Sequence, residues 1–402
     1  MASSIRGPAW AVLLADTLTW LATGVMFPFL MLYWQRVHQQ SAAQAGMLVA
    51  LVSLAGVLAT PLAGSLTDRL GSRATLLGGL GAALLGAMTM AVATTLPLVL
   101  SGAVLVFAGQ AVVGPAVLSA LALLLPAHLH SNAFSLRATG LNAGIGVGAL
   151  LGGVIVHADD LTSFARLFWL QALLLLLAGG LASRLPRLFS PSGSGARGRG
   201  GWRTALRDPR LLLLCALMFA FVFIGISQLN TGIALVAMDV RAVPTGVFGA
   251  AVACNAFVIV LGQVAVTRAL RGRRRTSALR LMFLVWVAAW LAVLFLGTAS
   301  SGLVVPLLVL GMLLFGLGEL LMPPSLTPLV AVVAPGELLG RYNALVSLSG
   351  LLARTVAPLA PGVLLSHSSS LFAGVMVLAC LACLTLPARL HPRLNDADNL
   401  IQ

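Results

Sequence analysis

Lysine is missing altogether from these 402 residues, so all 24 basic side chains are arginine. Acidic groups are scarcer still, at 10, and charged residues make up 8% of the chain. A soluble domain carries about a quarter, so a soluble globular fold is excluded. There are only four cysteines, Cys215, Cys254, Cys380 and Cys383, and all fall inside apolar runs. Cys380 and Cys383 form a C-x-x-C without histidine or acidic company, which argues against a metal or redox site and for small packing residues. No His/Asp/Glu cluster has metal-ligand spacing, and no nucleophile–base pair is visible. Neither an enzyme nor a bound metal or cofactor is therefore expected.

What remains is hydrophobic: 59% of residues, with a mean hydropathy of +1.04. The net charge of +14 looks like a nucleic-acid signal but is not one, because most arginines fall in alternate loops between apolar runs, as the positive-inside rule demands. At about twenty residues per crossing, breaks at charges, prolines and Gly/Ser clusters predict twelve helices. They cover 9–34, 43–65, 74–94, 97–126, 132–157, 163–183, 211–237, 245–267, 278–297, 303–334, 339–365 and 368–387. The first run is too long for a signal peptide and lacks a cleavage site.

Arg69 and Arg73, then Arg184 to Arg210, then Arg271 to Arg275 mark one side as cytoplasmic, which puts both termini there. The run LRGRRR at 270–275 is read as a topology determinant touching acidic headgroups. The stretch SPSGSGARGRGG is a flexible linker. It divides the chain into an N-terminal bundle of six helices (1–184), a linker (185–210) and a C-terminal bundle of six (211–402). Offsets of 200 and 209 residues lay parts of the second half over the first, a faint internal repeat.

The densest early cluster of charge is GSLTDRLGSR, Gly64 to Arg73, a short loop between two membrane-length runs. Its G-x-L-x-D-R-x-G-x-R order resembles the signature loop between the second and third helices of the major facilitator superfamily. The resemblance implies an all-α polytopic membrane protein, with twelve transmembrane helices in two pseudo-symmetric bundles and a central site between them. On that reading Gly64, Asp68, Arg69, Gly71 and Arg73 form a gating loop. Gly71 turns the chain, Asp68 faces a helix N-terminus, and the arginines clasp the halves together.

Ionisable residues inside spans are costly and mark function. Asp16 lies about eight residues into the first span. It is read either as a titratable coupling site or as a residue satisfied by nearby threonines or water. Glu319 sits near the middle of the tenth span, ahead of Pro323 and Pro324, which should break the helix. Arg354 reaches a similar depth in the eleventh, suggesting an ion pair with Glu319 or a second pole of one cavity. Gly318, Glu319, Pro323, Ala334, Pro335, Gly340, Arg341 and Tyr342 resemble a stretch of the twelve-helix drug:proton antiporters, which implies that Glu319 lines the binding cavity. Trp20, Phe27 and Phe29 are candidate aromatic walls, and Asn142, Gln228, Asn230 and Asn255 candidate cavity amides. Gly144, Gly146, Gly148, Gly152 and Gly153 are expected to pack the fifth span against the eighth. Ala149 stands where the exporter motif has proline, and the fourth span lacks the arginine of many proton-coupled members. His157, beside Asp159 and Asp160, reads as a loop residue rather than a proton entry point, and His128 and His130 likewise.

These features predict a monomeric inner-membrane transporter that exports an amphiphilic small molecule in exchange for protons, with no nucleic-acid partner. The alternatives are an importer, a facilitator or a lipid exporter without proton antiport, and more remotely a non-transporting sensor or scaffold.

Overall fold

Residues 7–157, 160, 162–186, 202–334 and 339–401 are described by the computed structural model, and among them no β-strand is present beyond isolated bridges. Twelve helices are long and apolar enough to cross a membrane. They are α1 Pro8–Arg36, α2 Ala42–Ala63, α3 Ser72–Val92, α4 Leu96–Leu124, α5 Ala133–Ile155, α6 Thr162–Ala182, α7 Pro209–Val240, α8 Thr245–Ala269, α9 Arg275–Thr298, α10 Ser301–Val330, α11 Arg341–Leu364 and α12 Ser369–Arg393. Short turns at 93–95 and 299–300 suffice to reverse the chain between α3 and α4 and between α9 and α10.

The chain forms two compact units. One comprises residues 1–41, 47–193 and 244–253; the other comprises 42–46, 194–243 and 254–402. The start of α2 therefore groups with the second unit and the start of α8 with the first. The Gly/Ser/Arg stretch at 190–201 lies outside the described residues, as do Asp159 and Pro335.

Glycine decides how the first unit packs. α3 and α4 meet through two glycine pairs, Gly79 with Gly109 and Gly86 with Gly102, where any side chain would strike the partner's backbone. Gly140, Gly144, Gly148 and Gly152 recur every fourth residue and so share one face of α5. That face lies on α1: Cβ atoms there would run into Thr17, the Leu21 carbonyl and the Val25 carbonyl. The expected contact with α8 is made by the other side of the helix. There Gly153 and Ala149 meet Gly246 and Gly249, and Thr245 Oγ1 donates to the Gly153 carbonyl at 3.2 Å and to the Val156 carbonyl. Lipid and water exert no hydrophobic drive between such helices, so backbone-close contact supplies the attraction.

Aromatic side chains do the equivalent work in the second unit. Trp286 and Trp290, one turn apart on α9, are fully buried. Their indole N–H groups donate to the Phe315 carbonyl of α10 and the Ile224 carbonyl of α7, each at 3.2 Å. Phe221 stacks on Trp286, with ring centres 5.3 Å apart. α7 departs from regular geometry here, with π-helical turns at Phe221–Ile226 and Val236–Val240 on either side of a break at 230–231.

α1 and α10 are interrupted at prolines, whereas Pro61 in α2 and Pro115 in α4 lie inside continuous helix. α1 narrows to a 3₁₀ turn at Phe27–Phe29 around Pro28. α10 ends its first segment at Leu321, turns through Met322–Ser325, and resumes at Leu326. Proline lacks the amide donor and crowds the preceding turn, and the Pro323–Pro324 pair does both at once.

Candidate functional site

Glu319 lies one turn before the α10 break. Its Oε1 accepts a hydrogen bond from Asn255 Nδ2 of α8 at 3.2 Å, and the same amide donates to the Met312 carbonyl at 3.2 Å. The backbone behind it is held tightly. Gly316 approaches the Asn255 carbonyl, and Gly318 abuts the Trp286 indole so closely that a methyl group would collide with it. Trp286 thus buttresses the carboxylate from behind, a role that no sequence signal indicated. Glu319 is half-buried, while Asn255 is buried.

The ion pair expected between Glu319 and Arg354 is not formed. Glu319 turns to the neutral amide of α8. Arg354 is exposed, as are Asn343 and Ser347 on the same face of α11. A spacing of four and then seven residues keeps those three polar side chains on one face.

Asp16 has a partner that the sequence reading missed. Arg137, near the start of α5, places Nε 3.0 Å from Asp16 Oδ2 and Nη2 3.3 Å from Oδ1. The pair is closed off: the Asp16 side chain is 2% exposed and that of Arg137 16%. Trp20, one turn along α1, directs its side chain to the same carboxylate. Neither satisfaction by threonine nor an open, water-facing carboxylate describes this site. Thr17 and Thr19 spend their hydroxyls on the carbonyls of Leu13 and Ala15. The available signal was Arg137 itself, the first charge after Arg73 and isolated in a span.

The amides expected to line a cavity divide. Gln228 is wholly buried and donates to the Phe223 and Ala357 carbonyls at 3.0 and 3.2 Å, while its oxygen faces Thr231. It repairs the broken α7 backbone rather than facing open space. Asn142 donates to the Ala138 carbonyl of its own helix at 3.0 Å. Asn230 is half-buried at the α7 break. Phe27 packs edge-on against Phe107, with ring centres 6.0 Å apart, and Phe29 packs against Phe248. An apolar groove lined by Leu294, Ser370, Leu371 and Leu378 shares no residue with any of these groups.

In the charged loop, the helix of α2 continues to Leu70 and Gly71 takes a φ of 82°, the left-handed region in which glycine carries no penalty. Arg73 Nη2 donates to the Ser183 carbonyl at 2.6 Å, at the end of α6. That bond lies inside the first unit. Thr75 donates to the Gly71 carbonyl and Ser72 to Ser119. Arg69 is exposed, and the side chains of Ser65 and Asp68, with the surroundings of Gly64, lie outside the described residues. His157 is an exposed loop residue whose Nδ1 meets the Ile155 carbonyl. Asp160 beside it caps α6, held below the usual carboxylate range by the Thr162 hydroxyl and then by Arg166.

Residues 12–305 match the family model described as Major Facilitator Superfamily. The chain belongs to the major facilitator superfamily. It is 26% identical over 390 residues to an uncharacterized MFS-type transporter, YhjO, of Bacillus subtilis strain 168, a match spanning 93% of this chain and 90% of that one. Among solved structures it resembles a proton dependent oligopeptide transporter, with a TM-score of 0.76 at 18% identity, covering 96% of this chain and 99% of that one. It also resembles a D-xylose-proton symporter, with a TM-score of 0.73 at 15% identity, covering 93% and 96%. At such identities the likeness is one of fold, and it makes this the twelve-helix major facilitator architecture. In this superfamily member Asp16 and Glu319 are held in chemically different arrangements. One is a closed ion pair, Asp16–Arg137. The other is a carboxyl held by a neutral amide, Glu319–Asn255.

Proposed function

We propose that this transporter exports an amphiphilic small molecule across the cytoplasmic membrane in exchange for protons, with both termini on the cytoplasmic side. The observation that carries the reading is Glu319: a carboxyl within a membrane span, hydrogen-bonded to Asn255 at 3.2 Å and joined to no cation among the described residues. Ionisable groups in spans are tolerated where they serve ion or substrate pathways. A carboxyl with no fixed counter-ion changes the net charge of its surroundings each time it gains or loses a proton, and it is open to either a proton or a cationic group of the substrate. Asp16 already has its counter-ion in Arg137, so the coupling role falls to Glu319, and Asp16 serves to hold α1 on α5. Protonation then shifts the balance between inward- and outward-open states by the difference in its affinity for them. The break at Met322–Ser325, one turn from Glu319, gives α10 a place to bend as that balance shifts.

A second reading is proton-coupled uptake. It is favoured by Ala149 in place of the exporter proline, and by the proton dependent oligopeptide transporter and D-xylose-proton symporter among the similar folds. Everted membrane vesicles separate the two. Under an imposed gradient with an acidic interior, an exporter accumulates an amphiphilic cation such as ethidium and releases it when the gradient is collapsed. Accumulation of a substrate only in right-side-out vesicles would overturn the export reading.

A further inference from the structure

The last residues of the chain do not trail away from the second unit. After α12, the segment Asp396–Ile401 returns to the arginine-rich turn between α8 and α9 and pairs with it as a short strap. Gly272, at φ 74°, presents its N–H to the Ile401 carbonyl at 2.8 Å, and the Ile401 N–H returns a bond to the Arg273 carbonyl at 2.9 Å. Arg274 and Leu400 complete the bridge. Asn399, 1% exposed, accepts from the Thr276 N–H at 3.1 Å and donates to Thr276 Oγ1 at 3.0 Å.

The strap also reaches the α10 break. Arg275, 7% exposed, donates through Nε to the Leu400 carbonyl at 3.1 Å and through Nη1 to the Pro324 carbonyl at 3.4 Å. One guanidinium therefore spans from the end of the chain to the turn that interrupts α10 just after Glu319. The residue four positions on is Pro328, so the Pro324 carbonyl has no i+4 amide to accept from.

His391 sits at the centre of this arrangement, and both of its ring nitrogens have polar neighbours. The Thr276 N–H bond to Asn399 Oδ1 fixes the orientation of that amide, so the group 2.9 Å from His391 Nδ1 is the amide NH₂. An NH₂ can only donate, so this contact is a hydrogen bond only when Nδ1 carries the lone pair. Thr276 Oγ1 lies 3.4 Å from the same nitrogen. Nε2, which then carries the ring proton, faces another donor, Arg274 Nη1, at 3.4 Å. A second proton on the ring would place N–H against NH₂ at Nδ1 and a cation beside Arg274. The charged groups around it are arginine-heavy. Arg274 and Arg275 come from the turn and α9, and Arg389 and Arg393 from its own helix end. Asp396 is 3.3 Å from Arg274, and Asp398 acts on Arg275. The α10 segment Leu326–Val333 contributes no ionisable residue.

We propose that this C-terminal strap is a pH-sensitive latch: with His391 neutral it holds Arg275 across the α10 break, and protonation of His391 releases the strap and loosens that break. Histidine is the side chain suited to such a change near neutral pH. The latch makes Arg275 a positioning residue for the span that carries Glu319. It ties the geometry of that span to the pH at the arginine-rich face.

Amide hydrogen exchange on the full chain in lipid nanodiscs, corrected for the intrinsic pH dependence, tests the latch at pH 7.5 and 5.5. In the wild type, protection of the peptides covering 270–276 and 396–401 is expected to fall by roughly tenfold on acidification, as expected from losing a hydrogen bond worth about 1.4 kcal/mol. Exchange at Met322–Val333 should rise with it. His391→Gln, which offers a neutral acceptor at every pH, should stay latched at both. His391→Arg, permanently charged, should be open at both while the other spans keep wild-type protection. Equal protection at both pH values in the wild type, or a latched His391→Arg, would overturn the switch. Strap opening without any change at Met322–Val333 would overturn its coupling to α10.

Discussion

Removing one member of the Asp16–Arg137 pair should damage the protein far more than removing both. Two unit charges 3.0 Å apart attract by roughly 5 kcal/mol at an effective dielectric constant of about 20. That gain is set against the cost of taking both from water, so the pair as a whole contributes little net stability. Breaking it is another matter, because the survivor is left charged and unpartnered, and such single deletions cost about 3–5 kcal/mol. Asp16→Asn strands a guanidinium that is 16% exposed, and Arg137→Met strands a carboxylate that is 2% exposed. The double variant strands neither. A double-mutant cycle, read by reversible denaturant unfolding in mixed micelles, should give a coupling of about 2–4 kcal/mol, with the double variant nearer to wild type than either single one. It should also retain proton-driven transport, since the pair is assigned to holding α1 on α5. A coupling below about 0.5 kcal/mol would refute the pairing as an energetic unit. Loss of coupled transport in a double variant that is stably folded would refute the division of roles between Asp16 and Glu319.

Gly148→Val should destabilise by about 1–3 kcal/mol through overpacking against the Leu21 carbonyl and the Val25 amide, whereas Gly78→Ala, whose new methyl meets nothing within 4 Å, should stabilise by about 0.5–1 kcal/mol; thermal melts of the two variants decide. Asp208 caps α7 through the Arg210 N–H at 2.8 Å and accepts from Tyr342 at 2.8 Å, so Asp208→Ala should cost about 1–2 kcal/mol. Partial burial works against its charge, but the bonds from Arg210 and Tyr342 outweigh it and hold the carboxyl below the usual range. The difference from wild type should therefore be complete at neutral pH and shrink only below about pH 4, as the folded carboxyl takes up its proton.

Hydropathy and charge carried most of the architecture, because a membrane span needs a long apolar run and announces its ends with arginine, proline or Gly/Ser. The interruptions of α1 and α10 follow from Pro28 and from Pro323–Pro324, whose missing amides act locally. Partner choice was far less legible. Asp16 and Arg137 are 121 positions apart, and nothing local in either span specifies the meeting. The α5 glycines showed that some backbone comes close. Which neighbour it is depends on which face each glycine occupies, and the row at Gly140, Gly144, Gly148 and Gly152 points to α1, not α8. Gln228 looked like a cavity residue because polar groups inside spans are rare. Its buried amide is consumed by the Phe223 carbonyl of the irregular α7 and the Ala357 carbonyl of α11, and that irregularity was not readable from composition.

The central claim is that Glu319 carries the proton that drives transport. Purified protein reconstituted into liposomes, with ethidium inside and outside and an imposed pH gradient, tests it most directly when wild type and Glu319→Gln are compared at equal protein content. The account predicts gradient-driven accumulation by the wild type, and for Glu319→Gln equilibration of the dye without accumulation at any gradient. Accumulation by Glu319→Gln to the wild-type level would contradict it.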